Sequence, residues 1–228
     1  MTTVVLAGNG FGGLVQGAFG NYQAASDGSF TVDTRDAPPL LARGLTYVKQ
    51  TSRSYAAPLA PAAASVGGVV SSGALSNGSV AVTTQPTVMR PVNVEVGTGT
   101  TAITAGTVAV TYIGNDGISG TDTLNLACAL SSSVTQSLSR GVISISAITV
   151  AGLVGGTSPW IRLSTTAAIS MPVDPNAVDF SVTREFDAGA TIAVGTLVTG
   201  VLGSITPTTA PNATVTYSFN YSYLSPVT

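Results

Sequence analysis

Histidine is absent from this chain of 228 residues, and cysteine occurs once, as Cys128. Without histidine the chain cannot build a Ser-His-Asp or Cys-His catalytic arrangement, nor a histidine-ligated zinc site. A single cysteine excludes an intrachain disulfide framework and a cysteine metal cluster. Because Cys128 lies in alternating phase with Leu124 and Leu126, it is predicted to be a buried small hydrophobic residue.

Charge is also scarce. Charged residues make up 8% of this chain, against about 25% in an ordinary soluble domain. The formal net charge is −2 and no basic block occurs, so nucleic acid is not an expected partner. Hydrophobic residues make up 44%, so the low charge does not indicate disorder. A Ser, Thr, Gly and Ala surface with so little charge favours packing against neighbouring subunits. A Thr-rich secreted β-protein is the alternative.

Long apolar runs are missing too. None approaches the roughly 18–20 residues that cross a bilayer, so no membrane association is predicted. Residues 1–7 lack the positive segment that opens a signal peptide. Both absences fit assembly in a bacterial cytoplasm.

Three zones follow one another along the chain. Residues 1–55 contain the clearest helix signal, at 34–44, with Asp36 placed to cap its start and Gly44 placed after its end. Strand-like alternation on both sides of it predicts a small N-terminal β-α-β subdomain or folded arm. Residues 56–88 are uncharged and rich in Ala, Pro, Gly and Ser, which predicts an extended linker.

The third zone, residues 89–228, alternates apolar and polar residues with a period of two. The turn at 114–117 separates two such runs and predicts a hairpin. Ile143 and Ile145 are placed on one face, and the later slip of phase to Ile148 predicts a bulge near Ala147. The predicted fold class is mainly β: an antiparallel β-sandwich or barrel-like domain with a small N-terminal β/α arm or subdomain.

One glycine motif invites a nucleotide-binding interpretation. Residues 8–13 match Gly-x-Gly-x-x-Gly, and Asp27 and Asp33 lie near the distance at which a ribose-binding acid is expected. That motif needs a helix directly after it to hold the pyrophosphate, and Gly17 and Gly20 oppose a helix. A flexible glycine-rich arm is therefore favoured over a nucleotide site.

Acidic residues offer two further candidates. A Ca²⁺ ion could take oxygen ligands from Asn115, Asp116 and Asp122, although the spacing is not that of an EF-hand and an Asp-Gly turn needs no metal. The carboxylates that a glycosidase could pair are Asp174, Asp179, Glu185 and Asp187. Alternation puts the last three on a solvent-facing side, which explains them better. No catalytic, metal-binding or cofactor-binding residue is assigned, and the chain is not predicted to be an enzyme.

Several other residues bear on partners. Sequons begin at Asn77, Asn212 and Asn220, and in a chain so rich in Ser and Thr they arise by chance. Trp160 follows Pro159 in a turn-like stretch and is expected either in the core or as an interface anchor. The arginines expected to pair at an interface are Arg90, Arg140, Arg162 and Arg184.

Several segments follow one another in a distinctive order. Residues 90–96 look like an opening strand, 106–117 like a strand and its turn, and 141–150 like the strand before a glycine-rich turn. Residues 206–213 are followed by an aromatic alternating strand. This order of elements resembles that of capsid decoration (cement) proteins of tailed bacteriophages. Residues 27–32, Asp36 and 40–44 resemble small N-terminal units of phage structural proteins.

The resemblance implies a β-sandwich or barrel-like domain, a homotrimer on the capsid lattice, the major capsid protein as partner, and no cofactor. The expected function is that of a virion structural protein on the capsid surface that cements neighbouring capsomers. The alternatives are a tail tube or head-fibre protein of the virion and, as the weakest, a carbohydrate-binding β-domain.

Overall fold

The computed structural model describes residues 3–7, 14–25, 29–43, 45–129 and 131–226. The glycine motif at 8–13, Asp27 and Gly44 lie outside the described residues. The chain divides into two compact units, of which the first comprises Met1–Ser54, Asn176–Thr183 and Asn220–Thr228. The second comprises Tyr55–Pro175 and Arg184–Phe219. The fold is mainly β with antiparallel sheets, which confirms the predicted class.

Within the described residues, short and long strands follow one another, with one short helix among them. Up to residue 88 the elements are β1 (Thr3–Ala7), β2 (Leu14–Gln16), β3 (Asn21–Gln23), β4 (Ser29–Asp33), α1 (Ala37–Ala42), β5 (Thr46–Ala56), β6 (Ser65–Ala74) and β7 (Gly78–Ser79). Up to residue 170 they are β8 (Val92–Gly97), β9 (Ile103–Gly114), β10 (Ser119–Asn125), β11 (Ser133–Ser137), β12 (Val142–Gly155), β13 (Trp160–Thr165) and β14 (Ile169–Ser170). The last are β15 (Asp179–Asp187), β16 (Ala190–Ile192), β17 (Thr196–Leu197), β18 (Ser204–Thr206) and β19 (Tyr217–Pro226).

The first unit is organised around β1, which pairs antiparallel with β4 and with β5. Alternation along β4 turns Phe30 and Val32 into a small core that also contains Leu6 and Leu40. The predicted helix is present as α1, with prolines in its first turn. No described helix has the length and apolar character of a membrane span.

Asp36 stands at the start of α1, but the prediction that its side chain caps the helix is wrong. Its carboxylate turns away from the helix and accepts hydrogen bonds from the backbone N–H groups of Ala18 (2.8 Å) and Phe19 (3.0 Å). Tyr22 Oη donates a third at 2.5 Å. These longer-range donors compete successfully with the nearby helix N–H groups, so Asp36 ties α1 to the segment after β2.

The second unit is a β-sandwich. Its two four-stranded sheets have the orders β10-β9-β12-β7 and β11-β8-β13-β6. Their inner faces share one core, because alternation turns Val94 of β8 and Leu163 of β13 toward Val110 of β9 and Ile148 of β12. Cys128 belongs to this core and is 8% exposed, which confirms its prediction as a buried small residue.

Two local predictions in this unit are confirmed. A hairpin joins β9 and β10 through the turn at 114–117, and a register shift between β12 and β9 lies between Ile145 and Ala147. A second shift lies between Val142 and Ser144, so Ile143 is 39% exposed and does not share the buried face of Ile145. The predicted placement of Ile143 is therefore wrong, because one extra residue in a strand reverses the facing of those that follow.

The stretch 56–88, predicted as a linker, contains β6 and β7. β6 pairs with β13 and buries Val69 and Val70 in the sandwich core. Its pairing with β13 shifts register twice, so its buried residues are adjacent and show no period of two. The glycines and serines around them are typical of linkers, so the sequence of this strand predicts a linker.

Candidate functional site

A tryptophan, an arginine and a glutamate lie together on the outer face of the sheet β11-β8-β13-β6. β13 pairs with β8 so that Trp160 lies opposite Gly97 and Arg162 opposite Glu95. Ile161, between them, is fully buried in the core. Alternation therefore turns Trp160 and Arg162 outward. We call Glu95, Gly97, Trp160 and Arg162 the Trp160 face.

The Trp160 face is held together by polar and ring contacts. Arg162 Nε donates to Glu95 Oε2 at 2.6 Å, and the guanidinium carbon lies 5.0 Å from the centroid of the Trp160 ring. Gly97 is required beneath the indole, because a Cβ there would overlap the ring. The side chains of Arg162 and Glu95 remain 32% and 17% exposed. A half-buried tryptophan beside a paired arginine is the composition favoured at the centre of protein interfaces.

A second charged pair lies in a cleft of about 260 Å³ in the same unit, lined by Asp116, Arg140, Asp174 and Leu202 among others. Arg140 Nη1 donates to Asp116 Oδ2 at 2.7 Å, and Asp116 Oδ1 accepts the N–H of Ile118. The Arg140 side chain is 38% exposed and that of Asp116 is 7% exposed. The pair connects the turn between β9 and β10 to Arg140, which follows β11.

Of the three candidate calcium ligands, Asp116 and Asp122 use both carboxylate oxygens within the chain, and Asn115 uses its amide nitrogen. Asn115 Nδ2 donates to the carbonyls of Met171 and Leu202, both at 2.9 Å. Asp122 accepts hydrogen bonds from Tyr112 Oη at 2.9 Å and from the N–H and Oγ of Ser139. The described residues hold no group of three or more His, Cys, Asp or Glu side chains placed for a metal ion.

Tyr112, which bonds to Asp122 and Ser139, is buried. Loss of solvent raises the pKa of the Tyr112 phenol, and the neighbouring Asp122 carboxylate raises it further against the opposing hydrogen bond with Ser139. The phenol therefore stays protonated and continues to donate. This network joins β9, β10 and the residues that follow β11 through their side chains.

Arg90 differs from the other arginines of this unit, because it is 2% exposed. Its Nη2 donates to the carbonyl of Ala62 at 3.0 Å, while its Nε has no hydrogen-bond partner. Burial lowers the pKa of the guanidinium. The expectation that Arg90 pairs at an interface is wrong, since its side chain does not reach the surface of this unit.

Glu185 also departs from its expected place. Alternation predicts a solvent-facing side chain, but Glu185 is fully buried. Its Oε2 accepts the N–H of Gly195 at 2.8 Å and its Oε1 accepts the N–H of Thr208 at 2.9 Å. The alternation of β15 breaks just before it, where Thr183 and Arg184 are both exposed. Glu185 is therefore a structural group that fastens two loop segments, whereas Asp187 stays partly exposed.

The three sequon asparagines all accept hydrogen bonds from nearby groups. Asn77 Oδ1 accepts the N–H of Leu153 at 2.9 Å. Asn212 Oδ1 accepts the N–H and Oγ1 of Thr214, which forms a local turn. Asn220 Oδ1 accepts Ser54 Oγ at 2.9 Å. Each asparagine thus has a structural role.

The first unit contains a groove of about 330 Å³, which sequence reasoning missed. It is lined by Ser52, Arg53, Ser54, Thr183, Asn220, Tyr221 and Ser222. Its hydroxyl groups bond mainly within the chain, as where Thr183 Oγ1 donates to the carbonyl of Asn220. Tyr221 is only 2% exposed, so its ring is not available to stack on a sugar. Its walls come from three segments that are distant in the chain, so no local sequence pattern predicts it.

Comparison with models of protein families finds no match. Searches of curated proteins and of solved structures also find none.

Proposed function

We propose that this chain is a virion structural protein that binds the outside of a phage capsid and cements neighbouring capsomers. The observation that carries the proposal is the Trp160 face, an outward tryptophan and ion-paired arginine on an otherwise uncharged sheet surface. Around it the outer face presents small polar residues, among them Asn93, Thr135 and Ser164. A partner that covers this face meets no unpaired charge.

The surface of the second unit supports the same role. Val66 of β6 is 73% exposed, Leu59 is 59% exposed and Val154 is 55% exposed. Depletion of charge together with aromatic, arginine and aliphatic contacts is typical of the buried centre of interfaces. A carbohydrate-binding domain has less support, because Tyr221 of the first-unit groove is buried.

Cementing follows from binding the assembled shell in preference to its free subunits. A ligand that binds one state and not the other stabilises the bound state by mass action. If each copy contacts two capsomers, the second contact forms at high effective concentration. Modest contacts at each Trp160 face then add to a large stabilisation of the shell.

Cosedimentation with purified empty capsids tests the proposal. We expect the wild-type chain to sediment with the shells, and Trp160→Ala and Arg162→Ala to weaken binding by about tenfold or more. Arg140→Ala is the matched control, since Arg140 is also ion-paired and partly exposed in the same unit. Failure of the wild type to bind, or an equal loss in the control, would contradict the proposal. Location of the chain in a tail tube or fibre of the intact particle would do the same.

A further inference from the structure

The edge strands on the two lateral sides of the sandwich differ in whether other segments of the chain cover them. On one side, the segment after β6 covers the edges of both sheets. Gln85 donates its amide Nε2 to the carbonyl of Ile145 at 2.9 Å and accepts the Ile145 N–H at 2.8 Å. The Val69 carbonyl of β6 accepts the N–H groups of Thr83 and Thr84. Backbone groups that an edge leaves free are therefore satisfied within the chain on this side.

The opposite side ends in β10 and β11. β11 pairs with β8 over its five residues without a register shift. Two bonds fix the phase of this ladder: Thr98 N–H to the Ser132 carbonyl, and Leu138 N–H to the Val92 carbonyl. Hydrogen-bonded and non-hydrogen-bonded pairs alternate in an antiparallel ladder. Residues 134 and 136 therefore also direct their backbone groups toward β8.

It follows that Ser133, Thr135 and Ser137 direct their backbone N–H and C=O groups away from β8. No described strand pairs with this edge. β11 has the sequence Ser-Val-Thr-Gln-Ser, with no charge and no proline. It thus lacks the charged residues and prolines by which many natural proteins protect an exposed edge.

We propose that β11 pairs antiparallel with β11 of a second copy of this chain, about a two-fold axis at Thr135. In this register Thr135 lies opposite its own equivalent, and Ser133 opposite Ser137 of the second copy. Each residue whose backbone groups point away from β8 then lies opposite a residue of the same kind in the second copy, and these pairs form about six hydrogen bonds. The strand can keep its present hydrogen bonds with β8 in this arrangement.

Charge favours β11 over its neighbour for this contact. Full antiparallel overlap of β10 with its own copy would bring Asp122 opposite Asp122, which is unfavourable. Beside β11, the charged residue opposite Thr135 is Glu95, and Arg162 neutralises it at 2.6 Å. The contact closes a two-fold dimer, unlike the trimer that the resemblance implies, and it does not depend on capsid binding.

Sedimentation equilibrium of the full chain with paired charge variants tests the inference. Ser133→Lys with Ser137→Lys places like charges opposite each other across the axis, and we expect the dimer dissociation constant to rise about tenfold or more. Ser133→Glu with Ser137→Lys changes the same two positions but places opposite charges face to face. We expect this variant to remain a dimer.

The comparison separates the proposed register from general damage to the strand, because both double variants lose the Ser137 side-chain bond to Asn93. Circular dichroism confirms that both are folded. A wild-type monomer or trimer overturns the inference. So does an equal effect of the two double variants, whether both dissociate or neither does.

Discussion

At the scale of single residues, the buried carboxylate of Glu185 bonds two backbone N–H groups from different loops. Glu185→Gln keeps the size of the side chain but turns an amide NH₂ toward one of those donors. We expect the free energy of unfolding to fall by about 1–3 kcal/mol in urea titrations. Asp187→Asn, on the same strand and partly exposed, is the control, with an expected change below about 0.5 kcal/mol. Equal losses would show that Glu185 is not the fastening group.

A second prediction concerns acid and the carboxyl group of Asp36. Burial raises its pKa, but the hydrogen bonds from Tyr22 and from the N–H groups of Phe19 and Ala18 outweigh burial, so the pKa is lowered. A carboxyl whose pKa is lower in the folded state stabilises the fold above its unfolded pKa of about 4. That stabilisation is lost as pH falls through the folded pKa.

Tyr22→Phe removes one of these donors and should raise the pKa of Asp36, measured by NMR titration of its carboxyl carbon. Between about pH 6 and pH 3, the free energy of unfolding of this variant should fall by less than that of the wild type. Asp33 is the internal control, because Arg35 holds its pKa well below the usual range. An unchanged pKa of Asp36 would refute the role of Tyr22.

Residue-scale roles are the hardest to predict from sequence. Buried Leu124, Leu126 and Cys128 follow directly from alternation, and the structure confirms them. Glu185 and Arg90 are buried against their chemical type, because specific backbone groups meet them from segments far away in the chain. Only the folded arrangement supplies those partners.

At the scale of elements, β6 supplies a direct test of whether residues 56–88 belong to the sandwich. Val70 is 3% exposed and Val66 is 73% exposed on the same strand. We expect Val70→Ala to lower the free energy of unfolding by about 1–3 kcal/mol, because it leaves a cavity in the core. Val66→Ala should change it by less than about 0.5 kcal/mol. Urea titrations of both variants measure the difference, and equal small effects would favour a linker.

Elements with regular pairing are predictable from sequence and irregular ones are not. β8 and the β9–β10 hairpin have uninterrupted registers over their paired residues, so their buried faces appear as a clean period of two. β6 shifts register twice against β13, which removes that signal. The first unit also takes in residues 176–183 and 220–228, far from its N-terminal strands in sequence. Such long-range pairings leave no local pattern.

At the scale of the whole molecule, the scarcity of charge governs how the chain can meet a partner. The sequence has 8 basic and 10 acidic residues. In the second unit, Arg140 and Arg162 are paired within the chain and Arg90 is buried, whereas Arg184 is exposed. The first three cations are therefore poorly available to attract a charged surface over a distance.

This distribution predicts that binding to the capsid depends weakly on salt. Screening removes attraction between exposed, separated charges but affects apolar contacts and preformed ion pairs much less. We expect the dissociation constant to change less than about threefold between roughly 50 and 500 mM NaCl, measured by cosedimentation. Trp160→Ala should bind more weakly but keep the same flat profile, because it removes the ring and leaves the Arg162–Glu95 ion pair in place. A tenfold loss of wild-type binding over this range would instead assign the contact to unpaired charges, and the Trp160 face would not be its centre.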